Sequence, residues 1–170
     1  MKSLLKLVAG IVENLNRVMY WLSAIAIVIS SLILTYEVFM RYLLKIPTIW
    51  EIELAIYLGI MATFLGAPYG LKEGAHINID LVIRVFSKNL QDKLYRITSI
   101  ISLIFCVFLA YNGWQYWWEA FSRGWRSESL WGPPLAIPYF FLPLGMTLLS
   151  LQFIIEALWL RKPKEGSVSH

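Results

Sequence analysis

Four stretches of this chain carry no charged residue, and their lengths decide what it can fold into. Val18 to Tyr36 is 19 residues, Leu54 to Leu71 is 18, Ile97 to Trp118 is 22 and Ser129 to Ile155 is 27. A helix needs about 20 apolar residues to cross a hydrocarbon core about 30 Å thick. Inside lipid only a helix or a closed barrel satisfies its own backbone N–H and C=O groups, and continuous apolar runs select the helix over the alternating barrel strand. The sequence therefore predicts an all-α integral membrane protein with four transmembrane helices, over about 18–44, 51–71, 95–119 and 134–160. They form a single membrane domain across residues 1–170. A charged fraction of 15%, against about a quarter in a soluble domain, agrees with this.

The net charge of +4 is an orientation signal. Lys2, Lys6 and Arg17 precede the first run, Lys72, Arg84, Lys88, Lys93 and Arg96 lie between the second and third, and Arg161, Lys162 and Lys164 follow the fourth. These eleven belong to one side of a four-span chain, whereas Arg41, Lys45, Arg123 and Arg126 belong to the other. The excess of Lys and Arg on cytoplasmic loops predicts that both termini are cytoplasmic. That accounts for the basic balance and leaves nothing for a nucleic-acid partner to explain. Cys106 is the single cysteine, so no internal disulfide can form. The first apolar run is longer than a signal-peptide core and no small-residue cleavage site follows it, so a cleaved leader is not predicted.

Between the runs, periodicity gives further elements. Leu4, Leu5, Leu7, Val8, Ile11, Val12 and Leu15 recur at helical spacing over residues 3–16. This suits either an amphipathic helix on the cytoplasmic surface, its lysines near lipid phosphates, or a plain extension of the first span. Nothing breaks the first helix before Pro47, so Glu37 and Arg41 stand four apart in the favourable order for an ion pair. Glu51 and Glu53 fall in the first turn of the second helix, where its dipole favours carboxylates. A second surface-lying helix is predicted between spans two and three, with Asp80 and Ser87 as N-cap candidates and Leu81, Val82, Val85 and Phe86 on its apolar face.

Trp114, Trp117, Trp118, Trp125 and Trp131 crowd the outer end of span three and the loop after it. Two arrangements satisfy this pattern: a cage for a cationic ligand, or the commoner interfacial belt of membrane proteins. Span four contains Pro138 and Pro143; the latter removes a helix hydrogen bond and is expected to kink the helix, opening a cavity or fitting a neighbour.

Several function classes are disfavoured. Transporters mark their pathways with ionisable residues inside the spans, and the four runs hold none. A dihaem cytochrome needs several axial histidines, and the chain has His76 and His170 alone. No constellation points to an enzyme, and neither a cofactor nor a metal is predicted. The residues leave three readings open: an accessory subunit of a larger membrane assembly, a self-sufficient small transporter, or the membrane anchor of a redox enzyme.

The stretch EVFMRYLLKIPTIWEIELAIYLGIMATFLGAPYGLKEGAHINID resembles the signature region of the small membrane subunit, DctQ type, of tripartite ATP-independent periplasmic (TRAP) transporters. Arg41, Tyr42, Pro47, Trp50, Glu53, Gly74, His76 and Asp80 match that pattern. Ile137, Pro138, Pro143 and Gly145 match the family's fourth span. One departure is visible: the family's usual pair of adjacent acids appears here as Ile52–Glu53, with Glu51 displaced by one residue. The resemblance covers most of the chain and implies a multi-pass protein of the bacterial inner membrane. It implies three partners: a large membrane transport subunit of DctM type, a periplasmic substrate-binding protein, and membrane lipid around the surface helices. The large subunit would carry an organic acid inward with sodium ions, be it a C4-dicarboxylate, sialic acid, another sugar acid or a 2-oxo acid, while the small subunit acts as scaffold. Glu37, Arg41, Glu51 and Glu53 would then secure the outer end of the first hairpin, with Arg41 and Glu53 facing a partner. Gly74, His76 and Asp80 would shape a cytoplasmic turn.

Overall fold

The computed structural model describes residues 2–73 and 88–159. Four helices account for nearly all of them: α1 over Lys2–Tyr42, α2 over Glu51–Lys72, α3 over Lys88–Ser122 and α4 over Ala136–Trp159. Each contains a segment long and apolar enough to cross a membrane, Ala9–Tyr42, Glu51–Lys72, Arg96–Ser122 and Ala136–Ile155. The segment over residues 3–16 and the first span are one unbroken helix. At about 1.5 Å per residue, the 41 residues of α1 reach about 60 Å, twice the hydrocarbon core. The helix stops where Lys45 turns into the left-handed region at φ 55°, two residues before Pro47, which cannot donate a helix hydrogen bond.

The helices form a row in the order α1, α2, α4, α3. α1 lies along α2, α2 along α4, and α4 along α3, with a short contact between α1 and α4. The inner pair, α2 and α4, is the more buried, while the spans of α1 and α3 are largely exposed. Hydrophobic burial gives little drive to helix association inside lipid, so small side chains and hydrogen bonds must hold such a row. The α1–α2 seam follows that rule, with Ala26, Ala55 and Ala62 buried in it. The Ser23 hydroxyl donates to the Ala62 carbonyl at 2.6 Å, and the Ser30 hydroxyl to the Ala55 carbonyl at 3.1 Å. Ser23 also lies against Gly66, where a Cβ would meet its Oγ at 2.7 Å.

The α2–α4 seam depends on two residues with complementary defects. Pro68 lies inside α2 and has no N–H, so the Phe64 carbonyl four residues earlier lacks its helical donor. Gly145 of α4 is buried against that carbonyl; a Cβ there would stand 2.7 Å from the Phe64 carbonyl carbon and 2.8 Å from its Cβ. With no side chain at Gly145, the backbone of α4 reaches the bared carbonyl, close enough for a weak Cα–H···O contact. On the other side of α4, the Pro143 ring packs against Gly113 of α3, where a Cβ would lie 3.2 Å from Pro143 Cβ. Cys106, Ala110 and Ala120 extend the same buried stripe of α3 at helical spacing.

A methyl group at Gly145 meets backbone, which cannot rotate away. Gly145→Ala should therefore cost about 1–3 kcal/mol of stability, read as a lower unfolding temperature in detergent. Gly59→Ala, inside α2 at a position with nothing within 4 Å of the added carbon, should hold or raise it, because alanine is the better helix former.

Candidate functional site

At the end of the row that holds the α1–α2 turn, three acidic side chains have three different tasks. Glu37 is buried within α1 and ion-paired to Arg41 one turn later, whose guanidinium is half exposed. The spacing in the sequence predicts this pair. Glu51 is 3% exposed and folds back on its own helix start, where its Oε2 accepts the Trp50 N–H at 3.0 Å. That satisfies a backbone donor at an N-terminus that has no side-chain cap. Glu53 looks across to the α3–α4 loop: it accepts the Tyr57 hydroxyl at 3.1 Å and the Ser129 hydroxyl through its other oxygen. The displaced acid and the acid in place thus do separate work, one closing a helix end and the other tying a loop.

The loop that Glu53 holds is ordered by its own backbone. α3 ends with Gly124 at φ 62°, Trp125 N–H donating to the Ala120 carbonyl at 2.9 Å and Gly124 N–H to the Phe121 carbonyl at 3.3 Å. This is the paired pattern of a Schellman cap, which needs a residue at ease with positive φ. The chain then doubles back, with Ser127 N–H donating to the Pro133 carbonyl at 3.0 Å and Leu135 N–H to the Trp125 carbonyl at 2.9 Å. Gly132 supplies a second positive φ at the turn. Leu130, 91% exposed, stands at the tip.

The tryptophans do not share one environment. Trp114 Nε1 donates to the Thr147 hydroxyl at 3.1 Å and Trp117 Nε1 to the Ala136 carbonyl at 3.1 Å, so both stitch α3 to α4. Their rings meet each other and Phe140 with centroids 5.5 to 5.6 Å apart. Trp125 packs edge-on to Tyr116, while Trp118 and Trp131 are exposed.

The opposite end, where α1 begins and α4 ends, carries a constellation that the sequence reading missed. Asn16 and Gln152, at 0% and 1% exposure, meet between α1 and α4, Asn16 Nδ2 donating to Gln152 Oε1 at 2.9 Å. Lys72 of α2 reaches Glu13 of α1 at 3.5 Å, and the Tyr20 and Tyr69 rings lie 4.5 Å apart. Gln152 in an otherwise apolar run was the available signal, because a buried amide in a span needs a polar partner. Gly74, His76 and Asp80 lie outside the described residues. Pro138 and Pro143 are fully buried, and Gly145 makes the approach to Phe64 described above. Among the described residues no group of three or more His, Cys, Asp or Glu side chains could hold a metal ion.

Two tests follow from this geometry. Arg41→Gln leaves the Glu37 carboxylate buried without a counter-charge and should cost about 1–3 kcal/mol, discounted from the fully buried case because Arg41 is half exposed. The double variant Glu37→Gln with Arg41→Gln should regain most of that in thermal unfolding. Ser129→Ala should release the loop, raising hydrogen exchange over residues 126–134 without lowering exchange protection in the spans.

The family model for the tripartite ATP-independent periplasmic transporters, DctQ component, matches residues 30–162. The chain is 29% identical over 143 residues to the C4-dicarboxylate TRAP transporter small permease protein DctQ of Vibrio cholerae serotype O1, covering 69% of this chain and 60% of that protein. It is 24% identical over 153 residues to the ectoine TRAP transporter small permease protein TeaB of Halomonas elongata, covering 88% of this chain and 79% of that one. The matched region takes in the α1–α2 hairpin turn, the Glu53-held loop and the Gly145 contact. This chain, a four-span protein of the bacterial inner membrane and not an enzyme, belongs to the DctQ component family of the tripartite ATP-independent periplasmic transporters.

Proposed function

We propose that the chain is the small permease subunit that braces a large, DctM-type transport subunit in a binding-protein-dependent uptake system. The observation that carries this reading is the distribution of charge. The four apolar runs hold no Asp, Glu, Lys, Arg or His, and the contacts between spans are made by small residues, prolines, hydroxyls, the Trp114 and Trp117 indoles and the uncharged Asn16–Gln152 pair. A chain with no ionisable pathway of its own contributes by packing against another. The exposed apolar side chains on the outer helices, such as Ile25, Val28 and Leu32 on α1 and Ile101, Ile104 and Phe108 on α3, are available for that. The charge asymmetry of the sequence favours cytoplasmic termini, which directs Glu37, Arg41 and the Glu53-held loop toward the periplasm, where a substrate-binding protein docks.

The two relatives carry the names of different substrates, a C4-dicarboxylate and ectoine. That supports leaving substrate choice, and sodium coupling with it, to the large subunit and the binding protein. An organic acid is the cargo we favour, with C4-dicarboxylates first and sialic acid or another sugar acid as further candidates. The test is purification of the chain from its native membranes in gentle detergent. A near-stoichiometric large membrane protein should co-purify, and sodium-driven uptake by liposomes should require both chains. Uptake by this chain alone would overturn the reading in favour of a self-sufficient transporter.

A further inference from the structure

The turn joining α1 to α2 holds a feature that bracing does not use. A shallow depression of about 360 Å³ is lined by Arg41, Lys45, Ile46, Pro47 and Thr48. It brings together two cations and a hydroxyl, and the Thr48 oxygen is buried with no hydrogen-bond partner. A buried polar atom left unpaired is costly unless something satisfies it. Arg41 is engaged by Glu37 on one side, but a guanidinium has five N–H donors, and half of this side chain is exposed. Lys45 is exposed and makes no ion pair among the described residues. Around the depression stand Tyr42, Leu43, Leu44 and Ile49, each at least half exposed to its surroundings.

Cations and exposed apolar side chains alternate here at the very end of a membrane-spanning helix. That composition suits the headgroup layer, where stems lie along lipid chains and charged tips reach the phosphates. We propose that the depression is a phospholipid site, in which Lys45, the free edge of Arg41 and the Thr48 hydroxyl hold the headgroup phosphate while the acyl chains cover Leu43, Leu44 and Ile49. A phosphate diester offers acceptors to all three donors at once. A soluble anion would gain nothing from the apolar rim, which follows directly in the chain on exposed Val38 and Phe39 of α1. Since Glu37 offsets Arg41, Lys45 leaves the site one positive charge in excess, which selects an anionic headgroup over a zwitterionic one. The inference does not depend on which leaflet the turn occupies or on the transport role.

The experiment uses the full chain in mild detergent, incubated with an equal mixture of phosphatidylglycerol and phosphatidylethanolamine and read by native mass spectrometry. The unaltered chain should retain phosphatidylglycerol in preference. Lys45→Gln should weaken that retention about tenfold, the worth of one charge-assisted hydrogen bond, and Lys45→Arg should restore it. Thr48→Val should act in the same direction and less strongly. Lys45 makes no ion pair among the described residues, so its variants should unfold at the temperature of the unaltered chain, and Thr48→Val, which removes an unpaired buried hydroxyl, should not unfold below it. Equal retention by Lys45→Gln and the unaltered chain overturns the proposal. So does displacement of the lipid by millimolar inorganic phosphate, which would mark a site for soluble anions. Protection of Lys45 from acetylation by a co-purifying protein, and not by lipid, would also overturn it.

Discussion

The approach of Gly145 to the Phe64 carbonyl is the contact on which the rest of the row depends. α2 and α4 are the inner helices, and each carries an outer helix on its far side. Any change in their separation would therefore be passed to both outer helices. The proline that bares the carbonyl and the glycine that fits against it lie on different helices, 77 residues apart by number. Either residue alone would be a weakness, since proline inside a helix and glycine inside a helix both cost stability. Together they let two backbones meet where neither side chain could. Pro143 repeats the device on the other face of α4, its ring filling the space that Gly113 leaves open.

Polar chemistry is kept to the ends of this frame. At one end Glu53 and Ser129 join α2 to the α3–α4 loop; at the other Asn16 and Gln152 join α1 to α4. Between them the seams rest on alanine, glycine, proline and the hydroxyls of Ser23 and Ser30, which donate to carbonyls of the neighbouring helix. The division follows from the solvent. In hydrocarbon an unpaired polar group is costly at any depth, whereas near the headgroups water satisfies whatever the protein does not. A subunit built this way has little to conduct through its middle, which fits a bracing role.

The four helices were legible because each announces itself locally, as an uncharged run of sufficient length. The Glu37–Arg41 pair was legible for the same reason, being four residues apart on one helix. The order of the helices in the row was not, because nothing in a run of leucines says which neighbour it will meet. The Glu53–Ser129 tie spans 76 residues and the Asn16–Gln152 pair 136. Such pairings depend on the tertiary arrangement, and a polar residue in an apolar run indicates that it needs a partner without naming it. Glu51 was read with Glu53 as one acidic opening of the second helix. Their separate tasks follow from the helical turn of about 100° per residue, about 200° over the two places between them, which sends one carboxylate back to the Trp50 N–H and the other outward to the loop.

The row also has a consequence for biosynthesis. Chains are made from the N-terminus onward, so α1 and α2 can join as a hairpin as soon as both have left the ribosome. α3 comes next, yet its packing partner in the row is α4, which has not been made. During that interval α3 must reside in the bilayer with Gly113 and its stripe of small residues facing lipid. Its uncharged run of 22 residues makes this wait tolerable, and its Asn112 amide finds a partner within α3 itself, donating to the Phe108 carbonyl at 2.8 Å. When α4 arrives it closes two seams at once, docking on α2 through Gly145 and collecting α3 through Pro143. α4 is thus the keystone, and a chain truncated before it would keep little beyond the Glu53–Ser129 tie to unite the hairpin with α3.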